Sequence, residues 1–191
     1  ARIEIMVTYY NQGDYEKVID QAADFLKHAV SESHIFRTSV LAGDAYLALG
    51  YPKDAVNYYA TAYATAQDPG KKVIILKLKE AVRQLSDHDI AFLLKGREDR
   101  FPAGYLMFQL GIRRAGEEKY DEALRVLSEF IEKFPDHENV QPAKNLITEI
   151  NQKTIFSRYT IGCLLPLSGP YRYYGNKALN GVELALNKFS S

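Results

Sequence analysis

Three similar stretches recur along the chain and constrain its fold more than any other feature of the sequence. They are NQGDYEKVIDQA (11–22), ALGYPKDAVNYY (48–59) and GEEKYDEALRVL (116–127). In each, a turn precedes a helix start, and a small residue (Val18, Ala55 or Ala123) occupies the position that faces a neighbouring helix. The interval from Ala55 to Ala123 is twice a repeat period of about 34 residues. The sequence therefore predicts stacked helix pairs, with one degenerate pair in the middle interval.

The helices that precede two of these stretches carry a second repeated element. Gly43 is followed three positions later by Tyr46, and Gly111 by Arg114, and the interval between the two glycines is the same as that from Ala55 to Ala123. Residues 1 to about 136 therefore resemble a tetratricopeptide-repeat array, although Arg114 replaces the usual aromatic residue and Trp is absent. The resemblance implies an α-solenoid of helix hairpins. We expect Gly and Ala to let paired helices approach closely, with larger side chains filling the remaining space: Tyr46, Tyr59, Leu127 and Phe130.

The remaining part of the array contains a degenerate pair and a terminal helix. Four apolar residues in 70–85 share one helical stripe: Ile75, Leu78, Val82 and Leu85. Ser86 or Asp87 is expected to cap the following helix. Residues 138–153 also place apolar residues on one side, as in a helix that covers the open end of an array: Ala143, Leu146, Ile147 and Ile150.

Residues 159–191 differ in pattern from the array. YTIGCLLP (159–166) predicts a strand buried on both faces, with Cys163 as a small buried side chain. A turn then leads to a helix with one apolar stripe: Ala178, Val182, Leu184, Ala185 and Phe189. Gly181 is expected to allow close contact with a sheet. Residues 161–186 resemble the opening of type I periplasmic binding proteins of the leucine/isoleucine/valine receptor kind.

That resemblance implies a site and a domain organisation. Four residues would lie on the rim of a ligand cleft, with turn formation as the alternative explanation: Ser168, Gly169, Tyr171 and Tyr174. The predicted fold class is mainly α. The predicted organisation is a tetratricopeptide-repeat domain with its capping helix (1–153), a linker (154–158), and the first strand and helix of a truncated periplasmic-binding-protein-like α/β domain (159–191). We expect this last segment to pack poorly alone or to pair between chains.

Composition and motifs exclude several classes of function. The 24 basic and 24 acidic residues balance, so no positive field favours nucleic acid or an anionic membrane. No apolar run is long enough for a membrane span, and the one cysteine cannot form an internal disulfide. The four histidines show no metal-ligand spacing: His28, His34, His88 and His137. The context of Ser168 is not G-x-S-x-G. We therefore expect no enzyme, no metal and no cofactor.

The predicted function is binding. In a repeat array the first helix of each pair lines a groove suited to a protein partner. By repeat register the candidate groove residues are Tyr10, Asn11, Arg37, Val40, Asp44, Leu47, Tyr105, Phe108 and Ile112. The apolar ones could equally pack against adjacent helices.

The order of the two parts resembles bacterial lipoproteins that activate penicillin-binding proteins. It implies a periplasmic scaffold, anchored to the outer membrane through a lipid, that binds and regulates a cell-wall synthesis protein. Both ends of the sequence look like cuts, so a leader or lipid anchor is expected outside it. The alternative is part of a solute-binding receptor for amino acids or similar small molecules, of the kind that serves ABC transporters.

Overall fold

The computed structural model describes residues 1–29, 31–97, 99–154 and 162–189, and these residues are mainly α-helical, as predicted. The helices in the described residues are α1 (Arg2–Gln12), α2 (Tyr15–Leu26), α3 (Glu32–Ala48), α4 (Pro52–Thr65), α5 (Asp68–Gln84), α6 (Asp87–Leu94), α7 (Ala103–Gly116), α8 (Tyr120–Lys133), α9 (Val140–Lys153) and α10 (Arg172–Phe189). The chain divides into two compact units, residues 1–152 and 153–191.

Three helix hairpins of the first unit, α1–α2, α3–α4 and α7–α8, turn through the same backbone geometry. A residue with positive φ follows the first helix of each hairpin: Gly13 (81°), Gly50 (79°) and Glu118 (58°). Its N–H donates to the carbonyl three residues back, and the next N–H donates to the carbonyl five residues back. These are the hydrogen bonds of a Schellman motif, which ends a helix sharply. The three stretches of similar sequence therefore share one turn structure.

Two of these hairpins also share a glycine notch between their helices. A Cβ at Gly43 would lie 2.7 Å from Tyr59 Cδ1, and a Cβ at Gly111 would lie 2.7 Å from Leu127 Cγ. Neither space admits another carbon atom. Ala55 and Ala123, on the second helices of the same two hairpins, are fully buried. The prediction that Gly and Ala let paired helices approach closely is confirmed.

The first helices of successive pairs contact one another in chain order: α1 with α3, α3 with α5, and α5 with α7. We call α1, α3, α5 and α7 the first-helix row. Among the described residues of this unit, each extensive helix contact joins helices no more than two positions apart in chain order. One apolar cluster runs through α4, α5, α6 and α7, and another through α7, α8 and α9. The core therefore runs along the succession of helices.

The degenerate pair follows its prediction with one correction. Leu78, Val82 and Leu85 are buried as predicted, but Ile75 is only partly buried and its neighbour Ile74 is buried instead. The buried stripe of α5 is therefore rotated from the predicted one. The hydroxyl of Ser86 caps α6 by accepting a hydrogen bond from Asp89 N at 3.1 Å.

On α9, Ala143 and Ile150 are buried, and Leu146 and Ile147 pack against the same cluster. These four residues pack in one apolar cluster with residues of α7 and α8, the two helices that precede α9.

The second unit does not show the predicted strand in its described residues. Residues 162–167 have no regular secondary structure, while 159–161 lie outside the described residues. Cys163 is exposed, so the prediction that it is buried is wrong. Its side chain has no sheet to pack on because its described neighbours do not pair. Most of the predicted linker (155–158) also lies outside the described residues.

Helix α10 begins at Arg172, within the segment predicted as a turn. A Cβ at Gly175 would lie 2.7 Å from the carbonyl carbon of Pro166, so the incoming chain folds back against the first turns of α10. The predicted apolar stripe is largely exposed at Ala178, Leu184 and Ala185, and the Phe189 side chain lies outside the described residues. No described atom lies within 4 Å of a Cβ placed at Gly181, so the expected close contact is absent there.

Candidate functional site

In the part of the chain that the structure describes, three depressions lie along the first-helix row. The first, which we call the apolar depression, has a volume of about 450 Å³. It lies between α1, α3 and α5 and is lined by Val7, Phe36, Arg37, Val40, Leu41, Pro69, Gly70 and Val73. Gly70 makes room for the Phe36 ring, whose Cζ would lie 3.1 Å from a Cβ at that position. The depression offers apolar walls with one cation at the edge.

The second, which we call the aromatic depression, has a volume of about 510 Å³ and lies between α5 and α7. It is lined by Tyr63, Lys72, Ile75, Leu76, Lys79, Phe101, Tyr105, Asp136, His137 and Glu138. The rings of Tyr63 and Phe101 stack with centroids 3.7 Å apart and planes 7° apart, and Phe101 meets Tyr105 edge to face. The volume is within the range of ordinary ligand pockets.

The third, which we call the small depression, has a volume of about 190 Å³ and shares Lys79 and Tyr105 with the aromatic depression. Its other lining residues are Val82, Arg83, Phe108, Gln109, Ile112 and Asn139. The two depressions therefore adjoin along α5 and α7.

A carboxylate links the turn between α8 and α9 to the first-helix row. The Tyr105 hydroxyl donates to Glu138 Oε1 at 2.7 Å, and Lys79 Nζ donates to Glu138 Oε2 at 2.9 Å. Burial, followed by the hydrogen bond to Glu138, raises the pKa of Tyr105. Partial burial of Glu138 opposes its ionisation, but the bonds from Tyr105 and Lys79 outweigh this and lower its pKa. Glu138 is therefore a charged acceptor in the wall of the aromatic depression.

His137 lies beside this carboxylate in an aromatic environment. Its ring meets Tyr105, Phe130 and Phe134 edge to face. A Cβ at Gly104 would lie 2.8 Å from His137 Cδ2, so the glycine makes space for the ring. His137 Nδ1 accepts a hydrogen bond from Asn139 N at 3.1 Å, whereas its buried Nε2 has no hydrogen-bond partner among the described residues. Burial lowers the pKa of His137.

The carboxylate of Asp44 contacts side chains of two neighbouring helices. It accepts a hydrogen bond from the Tyr59 hydroxyl at 2.7 Å and pairs with Lys77 Nζ at 2.8 Å. Burial, with the nearby Asp44 charge, raises the pKa of Tyr59 and of Tyr10. The residue predicted to face a partner therefore makes contacts with α4 and α5.

The predicted groove residues divide between these environments. Five line the depressions: Arg37, Val40, Tyr105, Phe108 and Ile112. The other four line none of the three: Tyr10, Asn11, Asp44 and Leu47.

Sequence reasoning missed several residues that line the aromatic depression: Tyr63, Lys72, Leu76, Lys79, Phe101, His137 and Glu138. The spacing of Lys72, Leu76 and Lys79 was an available signal, because residues four and three apart share one face of a helix.

The four predicted cleft-rim residues, Ser168, Gly169, Tyr171 and Tyr174, lie in the second unit and are all exposed. Gly169 has φ of 76°, and Tyr174 N donates to the carbonyl of Tyr171 at 3.0 Å. These contacts form a turn at the start of α10, which was the alternative explanation for the same residues.

The described residues contain no cluster of metal-ligating side chains, and none of their helices is long and apolar enough to span a membrane. No protein-family model, curated protein or solved structure matches the chain.

Proposed function

We propose that residues 1–153 form a tetratricopeptide-repeat scaffold that binds a protein partner along the first-helix row, without catalysis. The observation that carries this proposal is the series of three depressions along α1, α3, α5 and α7. Shared Schellman turns, and glycine notches spaced by two repeat periods, support the repeat assignment. Repeat arrays use such surfaces to bind extended segments or helices.

The partner we propose is a cell-wall synthesis protein of the bacterial envelope, and the location is the periplasm, with a lipid anchor to the outer membrane. The support for this finer assignment is the sequence resemblance alone. It makes residues 159–191 the start of a periplasmic-binding-protein-like domain that follows the array.

Site-specific photo-crosslinking tests the scaffold. A photoreactive amino acid would replace Val40, Leu76 or Ile112, one in each depression, and the chain would be mixed with purified penicillin-binding proteins. Matched control sites are Phe92 on α6 and Tyr51, which are exposed but line none of the three depressions. We expect crosslinks from the first three sites and not from the controls. Equal crosslinking at all five sites, or none, contradicts the proposal.

The alternative, a solute receptor, predicts a different observation. The small-molecule ligand is expected only in the full-length protein, so calorimetric titration of the full-length protein with amino acids would give saturable heats. In that case substitution of Ser168 or Tyr174 should abolish amino-acid binding, and substitutions in the depressions should leave it unchanged.

A further inference from the structure

Helix α5 separates the apolar depression from the aromatic depression and contributes side chains to both. Pro69, Gly70 and Val73 line the first, while Lys72, Ile75, Leu76 and Lys79 line the second. Val73 is 49% exposed and Leu76 is 68% exposed, so large apolar side chains form the surface between the two depressions. Exposed apolar surface beside a charged group favours a partner with both properties.

The charges along this surface are polarised. Four cations line the three depressions, all on α3 and α5: Arg37, Lys72, Lys79 and Arg83. The two carboxylates that line them, Asp136 and Glu138, both lie in the turn between α8 and α9. The chain as a whole has equal numbers of acidic and basic residues. Among the residues that line the depressions, the cations therefore lie on α3 and α5, and the carboxylates lie in the turn between α8 and α9.

Three of the four cations already have an acidic neighbour. Lys79 pairs with Glu138 at 2.9 Å, Arg37 with Glu4 at 3.3 Å, and Arg83 with Glu80 at 3.6 Å. Within the described ranges, Lys72 has no ion pair. It is exposed on α5 between the two depressions, where it can meet an incoming carboxylate.

The spacing of the two depressions limits the conformation of an occupant. They lie on either side of α5, so they are separated by about one helix-packing distance, roughly 8 to 10 Å. In an extended polyproline-II segment, side chains at i and i+3 lie on the same side and about 9 Å apart. Such a segment can place one apolar side chain in each depression.

We propose that the first-helix row binds an acidic, extended segment of its partner that carries two apolar side chains three positions apart. One apolar side chain enters the apolar depression and the other enters the aromatic depression against Tyr63 and Phe101. An Asp or Glu between them pairs with Lys72. This inference rests on the proposed function, because it describes the partner segment that the scaffold binds.

Selection from a random dodecapeptide display library tests the inference. On the wild-type chain we expect enrichment of two apolar residues three positions apart with Asp or Glu between them. On the Lys72→Glu variant we expect Lys or Arg to be enriched at that same position. The control variant is Lys144→Glu, an equal charge reversal at an exposed site on α9 outside the depressions. It should select the same peptides as the wild type.

Affinity measurements then quantify the contact. Fluorescence polarisation of a labelled, enriched acidic peptide should show binding that Lys72→Glu weakens by about tenfold or more, because attraction becomes repulsion at the same site. Lys144→Glu should leave the affinity within about twofold of the wild type. Leu76→Ser should also weaken binding. Because Leu76 is exposed, this variant should keep the helix content of the wild type.

Two outcomes overturn the inference. One is selection of basic or uncharged peptides by the wild-type chain, and the other is equal affinity of the acidic peptide for wild type and Lys72→Glu. If either outcome is observed while Val40 and Leu76 still crosslink to a purified synthase, the inference fails and the scaffold function stands. If those crosslinks are absent as well, both fail.

Discussion

The side chain of Leu127 fills the space that Gly111 leaves by having no Cβ. Tyr59 fills the same space at Gly43, two repeat periods earlier in the chain. The two contacts join the helices of a pair at equivalent positions. A methyl group at either glycine would collide with the facing side chain. The contact between α7 and α8 therefore depends on the absence of one carbon atom.

The first prediction concerns this notch. Gly111→Ala should lower the free energy of unfolding by about 1 to 3 kcal/mol, because overpacking a tight core costs that much. Gly116→Ala is the matched control in the same helix, since no described atom lies within 4 Å of a Cβ placed there. It should leave stability unchanged or raise it by less than about 1 kcal/mol. Urea unfolding followed by circular dichroism measures both variants. Equal effects would contradict the claim that the space at Gly111 is too small for a methyl group.

The second prediction concerns the turn that ends α7. Glu118 has φ of 58°, whereas Gly13 and Gly50 occupy the equivalent turn positions. Glu118→Gly should raise the free energy of unfolding by about 0.5 to 1 kcal/mol, because glycine adopts the left-handed conformation without steric strain. The greater conformational entropy of glycine in the unfolded chain offsets part of this stabilisation. Gly50→Ala should lower the free energy of unfolding by about 1 to 2 kcal/mol, because alanine is strained in that conformation. Thermal and urea unfolding of the two variants provide the comparison.

The third prediction concerns pH. Burial lowers the pKa of His137, so the folded chain binds this proton less readily than the unfolded chain does. Stability from the neutral ring is fully present above the unfolded pKa of about 6.5 and falls as the pH decreases below that value toward the lowered folded pKa. The slope from one such group cannot exceed about 1.4 kcal/mol per pH unit.

The His137→Gln variant separates this effect from other titrations. In this variant the free energy of unfolding should decrease less steeply just below about pH 6.5, as measured by urea unfolding at a series of pH values. His88→Gln, at an exposed residue of α6, is the control and should retain the wild-type profile. A His137→Gln profile that parallels the wild type would show that another group is responsible.

The fourth prediction concerns the carboxylate that joins Lys79 and Tyr105. Glu138→Gln should lower the free energy of unfolding by about 1 kcal/mol, because the ion pair is partly solvated and the neutral amide is a weaker acceptor. Glu138 has a lowered pKa, so its contribution is present above the unfolded pKa of about 4.3 and disappears as the pH falls through the folded pKa. Glu132→Gln, an exposed position on α8, should have no comparable effect. A double-mutant cycle with Lys79→Met gives the pair energy, and a value near zero would contradict the assignment.

The helices and hairpin turns could be predicted because local sequence determines them. Val18, Ala55 and Ala123 mark buried positions by their size, and Ser86 marks a helix start by its side-chain acceptor. These signals depend on residues a few positions apart. The buried stripe of α5 was predicted less well, because the choice between Ile74 and Ile75 depends on the orientation of a helix relative to α4 and α7.

The site was predicted only in part because it combines residues from distant elements. Register along the repeats identified Tyr105, Phe108 and Ile112, which belong to one helix. It could not bring Tyr63 to Phe101, or Lys79 to Glu138, since the members of each pair are far apart in the sequence and meet only after packing. The contact of Asp44 could not be predicted for the same reason, because its partner Lys77 lies on the next first helix.

The exposure of the lone thiol at Cys163 has a practical consequence. A maleimide fluorophore would attach at one site without any mutagenesis, and that site belongs to the second compact unit. Partner titrations could then be followed through a dye whose attachment leaves all three depressions chemically unaltered.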